Sequence, residues 1–148
     1  MVVVYAYVVG DILHKGHIEH LRNCKALGDK LIVGVLTDKA AMEKKPRPAM
    51  SFEERFDLVR ALKMVDVVVA QDEYEPIKNV THIRPDILIE SIDHKHADDK
   101  YSKLVRSMGI RAIVLPYYPD HSSTKLKDKI READEQESAS NPSPAGQA

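Results

Sequence analysis

A chain of 148 residues with a formal net charge of −1 has room for one domain with a hydrophobic core, since a domain of this size buries about two thirds of the surface its unfolded chain exposes. Acidic and basic residues are interleaved and no basic face stands out, which excludes a nucleic-acid partner and directs attention to a small ligand. The single cysteine, Cys24, rules out an intramolecular disulfide, reads as a small apolar helix residue, and fits a reducing, cytoplasmic setting.

Met1 to Val9 is apolar but short, has no basic leader and runs directly into polar residues, so it reads as a buried strand and not as a signal peptide or membrane span. Val2 to Val9 is rich in β-branched and aromatic residues without strict alternation, the pattern of a strand covered on both faces. Gly10-Asp11 breaks it. Ile18, Leu21, Cys24 and Leu27 then recur at three-residue spacing, predicting an amphipathic helix over Gly16 to Leu27 that Gly28 ends. Lys30 to Leu36 is the second strand, and a short helical stretch after Thr37-Asp38 leads into Glu43-Lys44-Lys45-Pro46-Arg47-Pro48, a loop because two prolines so close cannot sit inside a helix.

Ser51 followed three residues later by Glu54 is a capping box, and Phe52, Phe56, Val59, Leu62 and the stem of Arg55 form the buried stripe of the helix it starts. Val65 to Ala70 is a third strand, Pro76 to Ile83 a short helix, Asp86 to Glu90 a fourth strand, Asp98 to Met108 a helix, and Arg111 to Leu115 a fifth strand. The final helix is predicted from Ser123 to about Ala133, which gives one folded domain over residues 1–133 and a disordered tail over 134–148 with almost nothing apolar to bury. Strands and helices that alternate in this way imply a three-layer, Rossmann-like, doubly wound α/β fold of about five parallel strands, with its ligand crevice at their carboxyl ends.

Motifs just after strands therefore matter most. Gly10-Asp11-Ile12-Leu13-His14-Lys15-Gly16-His17 joins the first strand to the first helix, where backbone N–H groups favour anions, so His14 and His17 can close on phosphate oxygens while Gly16 leaves room for a nucleotide to approach. Ser122, Ser123 and Thr124 precede the last helix at the same edge, and read either as ordinary capping residues or as a second anion cradle that holds a triphosphate together with the histidines. Lys44 is a candidate ligand for a substrate phosphate, ahead of Lys45 and Arg47 in the same loop, whereas spacing alone leaves Lys63 unassigned. His82, Asp93, His94, His96, Asp98 and Asp99 contain residue types that bind zinc, but without a second cluster at fixed spacing they read as a polar loop, and no metal ligands are assigned.

These residues resemble the H-x-G-H nucleotidyltransferases over residues 3 to about 131, and within them the cytidylyltransferase branch that includes glycerol-3-phosphate and phosphocholine cytidylyltransferases. Asp11-Ile12-Leu13-His14-x-Gly16-His17-Ile18 is similar to that family's D-L-L-H-x-G-H signature, Ser51-Phe52-Glu53-Glu54-Arg55 to its central helix start, and Ser122-Ser123-Thr124-Lys125 to its closing motif. Gly34 to Ala40, Pro85-Asp86-Ile87 and Pro116-Tyr117 look most like the cytidylyltransferase domains that act on phosphonates.

The resemblance implies transfer of CMP from CTP, with Mg²⁺ bridging the nucleotide phosphates, to a small phosphate- or phosphonate-bearing substrate, and release of pyrophosphate. It implies catalytic roles for His14, His17 and Lys44; nucleotide contacts from Val9, Gly10, Asp11, Gly16, Lys63, Asp93, Tyr117, His121, Ser122, Ser123 and Thr124; and a homodimer. Val8-Val9-Gly10 stands where the family has G-[TV]-F, Tyr117 to Ser122 lacks the closing motif's arginine and glycine, and Ser91 to His94 keeps only Asp93 of G-D-D-W. Because these departures fall at the base and acceptor pockets, an adenylyltransferase of the same fold, acting on flavin mononucleotide or phosphopantetheine, and a non-catalytic nucleotide-binding module are the alternatives.

Overall fold

The computed structural model describes residues 1–91, 99–116 and 123–140, without the side chains of residues 91, 99–100, 123–126 and 137–140. Its elements run β1 (Val3–Val8), α1 (Lys15–Ala26), β2 (Lys30–Leu36), α2 (Asp38–Ala41), α3 (Phe52–Arg60), β3 (Val67–Gln71), α4 (Ile77–Ile83), β4 (Ile87–Ser91), α5 (Asp99–Ser107), β5 (Arg111–Leu115) and α6 (Ser123–Ser140). The strands form one parallel sheet in the order β3-β2-β1-β4-β5. The chain winds outward through β2 and β3, then crosses back to the other side of β1, so the strand order reverses between β1 and β4.

Strand side chains alternate between two cores, which explains why the strands read as continuous apolar runs. Val4 and Ala6 of β1 and Leu31, Val33 and Val35 of β2 pack with Leu21 and Cys24 of α1 and Val59 of α3. Tyr5 and Ile32 face the opposite way, against Val80 of α4 and Tyr101 and Val105 of α5. The result is the expected three-layer, Rossmann-like arrangement.

At the amino edge, acidic residues placed just before strands satisfy the first N–H groups of their neighbours. Asp29 accepts from Val2 N–H and Asp86 from Val3 N–H, each at 2.7 Å. Asp66 accepts from Leu31 N–H at 2.7 Å and pairs with Lys25 at 2.5 Å, and the hydrogen bonds from Lys25 and Leu31 hold its carboxyl below the usual range.

Three local expectations change. Leu27 is exposed and caps α1 in a right-handed conformation, and Gly28 is not in the left-handed region expected of a terminating glycine. Gly28 is needed because a Cβ there would come within 2.7 Å of Val4 Cγ2 and 2.8 Å of Val2 O, so the glycine lets the chain pass close to β1. The last helix also continues to Ser140 and does not stop near Ala133. Residues 131–136 are exposed and rich in good helix formers, with an Arg131–Asp128 pair at 2.6 Å, so lack of burial does not end the helix. Residues 141–148 lie outside the described residues.

Gly34 in the middle of β2 is a second close approach. A Cβ there would fall 2.1 Å from the Tyr5 hydroxyl and 2.8 Å from Gln71 Oε1. The Tyr5 hydroxyl donates to Gln71 Oε1 at 2.6 Å and accepts from Asn79 Nδ2 at 3.0 Å, while Gln71 Nε2 donates to the carbonyls of Glu73 and Tyr74. Tyr5 is fully buried and pinned, so it has nowhere to move. Gly34→Ala is therefore expected to destabilise the fold by about 1–3 kcal/mol, read as a lowered urea midpoint at unchanged m-value.

Candidate active site

β1 and β2 stay paired from Val3 to Val8, but β1 and β4 pair only at Val4↔Ile87 and Tyr5↔Leu88. Nearer the carboxyl edge the side chains take over. Glu90, 4% exposed, accepts from the Tyr7 hydroxyl at 2.5 Å and from Tyr101 at 2.6 Å. Burial, then the Glu90 charge, pushes both phenols far above their ordinary pKa, so they stay neutral donors. The crevice of a doubly wound sheet lies where its strand order reverses, here between β1 and β4, and the chain leaving β1 forms one wall of it.

That chain turns sharply. Gly10 has φ of 74° and Ile12 φ of 51°, both in the left-handed region. Glycine tolerates this freely, whereas a β-branched isoleucine stores about 1–2 kcal/mol of strain. The bonds around it hold the shape. Asp11 accepts from the N–H groups of Ala49 at 2.9 Å and Met50 at 3.0 Å and pairs with Lys127 of α6. Burial alone would raise the Asp11 carboxyl, but the Lys127, Ala49 and Met50 hydrogen bonds outweigh it and hold the group below its usual range.

His14 is the N-cap of α1. Its Nδ1 accepts from Gly16 N–H at 3.0 Å, and its own N–H donates to His17 Nδ1 at 3.3 Å, a reciprocal box made of two imidazoles. The ring centroids are 4.1 Å apart. With Nδ1 accepting on both rings, Nε2 carries the proton of each neutral imidazole and is the nitrogen that can donate to a ligand. Burial, with smaller contributions from His14, His20 and Lys45, pulls His17 down to about 4, so it is neutral at pH 7 in the free chain. The site is thus a helix N-terminus with two imidazoles in tilted contact, 53° between their planes, of which His17 is neutral, an arrangement suited to phosphate oxygens.

The remaining sequence candidates divide. Val9 and Gly10 lie in the turn, and Gly16 is buried in the first turn of α1. Lys44 is exposed and sits 4.9 Å over the Tyr74 ring, while the neighbouring Lys45 has the charge felt at His17. Lys63 is misplaced as a nucleotide contact: it precedes β3 in a parallel sheet, so it stands at the amino edge, opposite the histidines. Ser123 and Thr124 open α6, whose side chains there are outside the described residues, as are Asp93, Tyr117, His121 and Ser122. Among the described residues no group of three His, Cys, Asp or Glu side chains could hold a metal ion.

Sequence reasoning undervalued Arg55, of which only the stem was placed in the core. It is fully buried, and its guanidinium donates to Val9 O and Leu36 O at 2.6 Å each, to Met50 O at 3.2 Å and to Asp38 Oδ1 at 2.6 Å. One side chain thus joins the ends of β1 and β2 to α2 and to the segment that holds Asp11. The signal was present, since Arg55 interrupts the apolar stripe of α3 between Phe52 and Val59. Lys127 gave no comparable sign.

A doubly wound sheet whose first crossover brings H-x-G-H to a helix N-terminus defines a nucleotide-binding domain of the nucleotidyltransferase class. The chain belongs to the cytidylyltransferase-like family of H-x-G-H nucleotidyltransferases, whose model matches residues 10–129. It is similar to the bifunctional protein HldE of Hydrogenovibrio crunogenus, 32% identical over 93% of this chain and 29% of the relative, and to that of Escherichia coli, 36% identical over 88% and 28%. It therefore spans less than a third of the length of these relatives.

Among solved structures, a lipopolysaccharide core biosynthesis protein from Thermoplasma volcanium superposes with a TM-score of 0.69 at 32% identity, covering 80% of this chain and 97% of that one. Pantothenate synthetase from Thermus thermophilus, at 14% identity and a TM-score of 0.52, with 78% of this chain and 56% of that one covered, shares the fold alone.

Arg55→Met should strip several carbonyls and Asp38 of a buried donor and destabilise the chain by about 3 kcal/mol in urea unfolding. His14→Ala should lower stability by about 1 kcal/mol through loss of the cap, and His14→Asn should restore most of that while leaving activity low, which separates capping from catalysis.

Proposed function

We propose that this chain transfers AMP from ATP to the phosphate of a small phosphorylated sugar and releases pyrophosphate. The observation that carries the transfer reaction is the His14–His17 pair at the N-terminus of α1, with His17 held neutral. Kinship with the HldE proteins favours adenylyl over cytidylyl transfer, and the solved relative from lipopolysaccharide core biosynthesis favours a sugar-based acceptor.

In this reading an acceptor phosphate oxygen attacks the α-phosphorus, the bond from that phosphorus to the oxygen bridging the α- and β-phosphates breaks, and pyrophosphate leaves with the electron pair. No covalent enzyme intermediate is needed, and positioning with charge stabilisation does the work. His14 and His17 donate from Nε2 to phosphate oxygens, where charge grows as the bond opens. Lys45, whose charge already reaches His17, meets the acceptor phosphate from the 43–47 loop, and Ser122, Ser123 and Thr124 hold the far end of the triphosphate.

Magnesium prefers oxygen ligands in octahedral array, and the described residues around the histidines offer imidazoles and one carboxylate already bonded to protein donors. The ion therefore enters as part of the magnesium–nucleotide substrate. When bound it neutralises phosphate charge.

The test is pyrophosphate release with each of the four nucleoside triphosphates, Mg²⁺ and a panel of sugar phosphates, phosphorylated alcohols and phosphonates. ATP with a sugar phosphate should turn over, and His17→Gln should lower the rate about a hundredfold. Turnover with CTP alone would replace the adenylyl reading by the cytidylyl one, and no turnover with any pair would overturn nucleotidyl transfer.

A further inference from the structure

Asp11 poses an electrostatic problem for a site that receives a triphosphate. Its carboxylate is 5% exposed, three residues before His14, and fixes the turn by accepting from Ala49 and Met50 N–H. Neutral backbone donors of this kind do not remove its charge. The adjacent imidazole of His17 is neutral in the free chain and does not cancel it. A bare carboxylate there would repel an incoming polyanion, since like charges at short range in a partly buried site interact strongly.

Among the described residues Lys127 is a cationic partner of Asp11. It belongs to α6, about one turn beyond the Ser123 that opens that helix, and its side chain is 38% exposed. The pair also joins parts of the chain distant in sequence, because Asp11 follows β1 and Lys127 follows β5.

We propose that Lys127 is a positioning residue for nucleotidyl transfer, which neutralises Asp11 and holds the first turns of α6 against the histidine-bearing turn. The proposal rests on the nucleotidyl-transfer reading for its kinetic consequence and on the observed pair for its structural one. Through the pair, the carboxylate that shapes the turn no longer opposes the anion that the turn binds. The start of α6, with Ser123 and Thr124, is brought to the same rim as His14 and His17.

The experiment is a double-mutant cycle on the full chain with Asp11→Asn and Lys127→Met, alongside Lys127→Arg. Lys127→Met should raise the KM for the nucleotide about tenfold with a smaller change in kcat, and Lys127→Arg should stay within about threefold of the parent. The double variant should bind nucleotide no more weakly than Asp11→Asn alone, because once the carboxylate is uncharged the lysine has nothing to cancel. Multiplying losses would overturn the proposal and assign Lys127 a contact with the nucleotide itself. Parent-like kinetics in Lys127→Met would overturn it equally.

Hydrogen exchange at the Ala49 and Met50 amides gives a readout that needs no turnover. Both should exchange faster in Lys127→Met, but not in Lys127→Arg, while amides of the central strands keep their protection. Unchanged exchange refutes the structural tie even in an active enzyme. Altered exchange in a chain that turns over no nucleotide upholds the tie and rejects the functional reading.

Discussion

The buried guanidinium of Arg55 is the constraint on which the carboxyl edge of this sheet depends. Strand ends leave carbonyl groups without ladder partners, and a ligand crevice at that edge cannot bury them without donors. Arg55 supplies donors in a rigid planar fork to Val9, just past the end of β1, and to Leu36, the last residue of β2, and spends the rest on Met50 and Asp38. A lysine has neither the number nor the geometry of donors to do this. Gly10 packs directly above, with Val59 and the Arg55 Cβ as its near neighbours, so the turn that delivers the histidines is built on this one side chain.

On that base the rim pairs its charged groups with one another and leaves imidazoles at the start of α1. The His17 imidazole accepts from the His14 N–H and the His14 imidazole from the Gly16 N–H, the Tyr7 and Tyr101 phenols close on Glu90, and Asp11 accepts from backbone amides and pairs with Lys127. Helix N-terminal N–H groups favour an anion at this position, which is the feature the proposed transfer reaction uses. Strain at Ile12 is tolerated because Asp11 and the His14 cap fix the chain on either side of it.

Much of the architecture was legible because each element announces itself locally. The Ser51 cap of α3, whose hydroxyl accepts from Glu54 N–H and donates to the Glu54 carboxylate in place of a full reciprocal box, the β-branched run of β1 and the prolines at 46 and 48 each mark a boundary with a short-range cause. The H-x-G-H site was legible for a related reason: its meaning comes from standing between a strand and a helix, and both could be read. Contacts set by the tertiary fold were not. Lys44 and Lys45 are adjacent in sequence, and only the folded loop decides that one lies on Tyr74 while the other bears on His17. Lys63 is a nucleotide contact only by the family resemblance, and parallel connectivity puts it at the amino edge of the sheet. Nucleotide choice is not legible in the motifs that mark the class, because the sequence departs from the family pattern at Val8-Val9-Gly10, Ser91 to His94 and Tyr117 to Ser122.

The vacant side chain at Gly34 ties the history of two positions together. Loss of the Tyr5 hydroxyl alone does not admit a methyl at 34, because the ring Cζ of residue 5 at 2.9 Å and Gln71 Oε1 at 2.8 Å still crowd it, and the amide of Gln71 would in turn lose its donor. Descendants of this sequence are accordingly free to drift at 5, 34 and 71 as a trio, and each is close to frozen while the other two stand still.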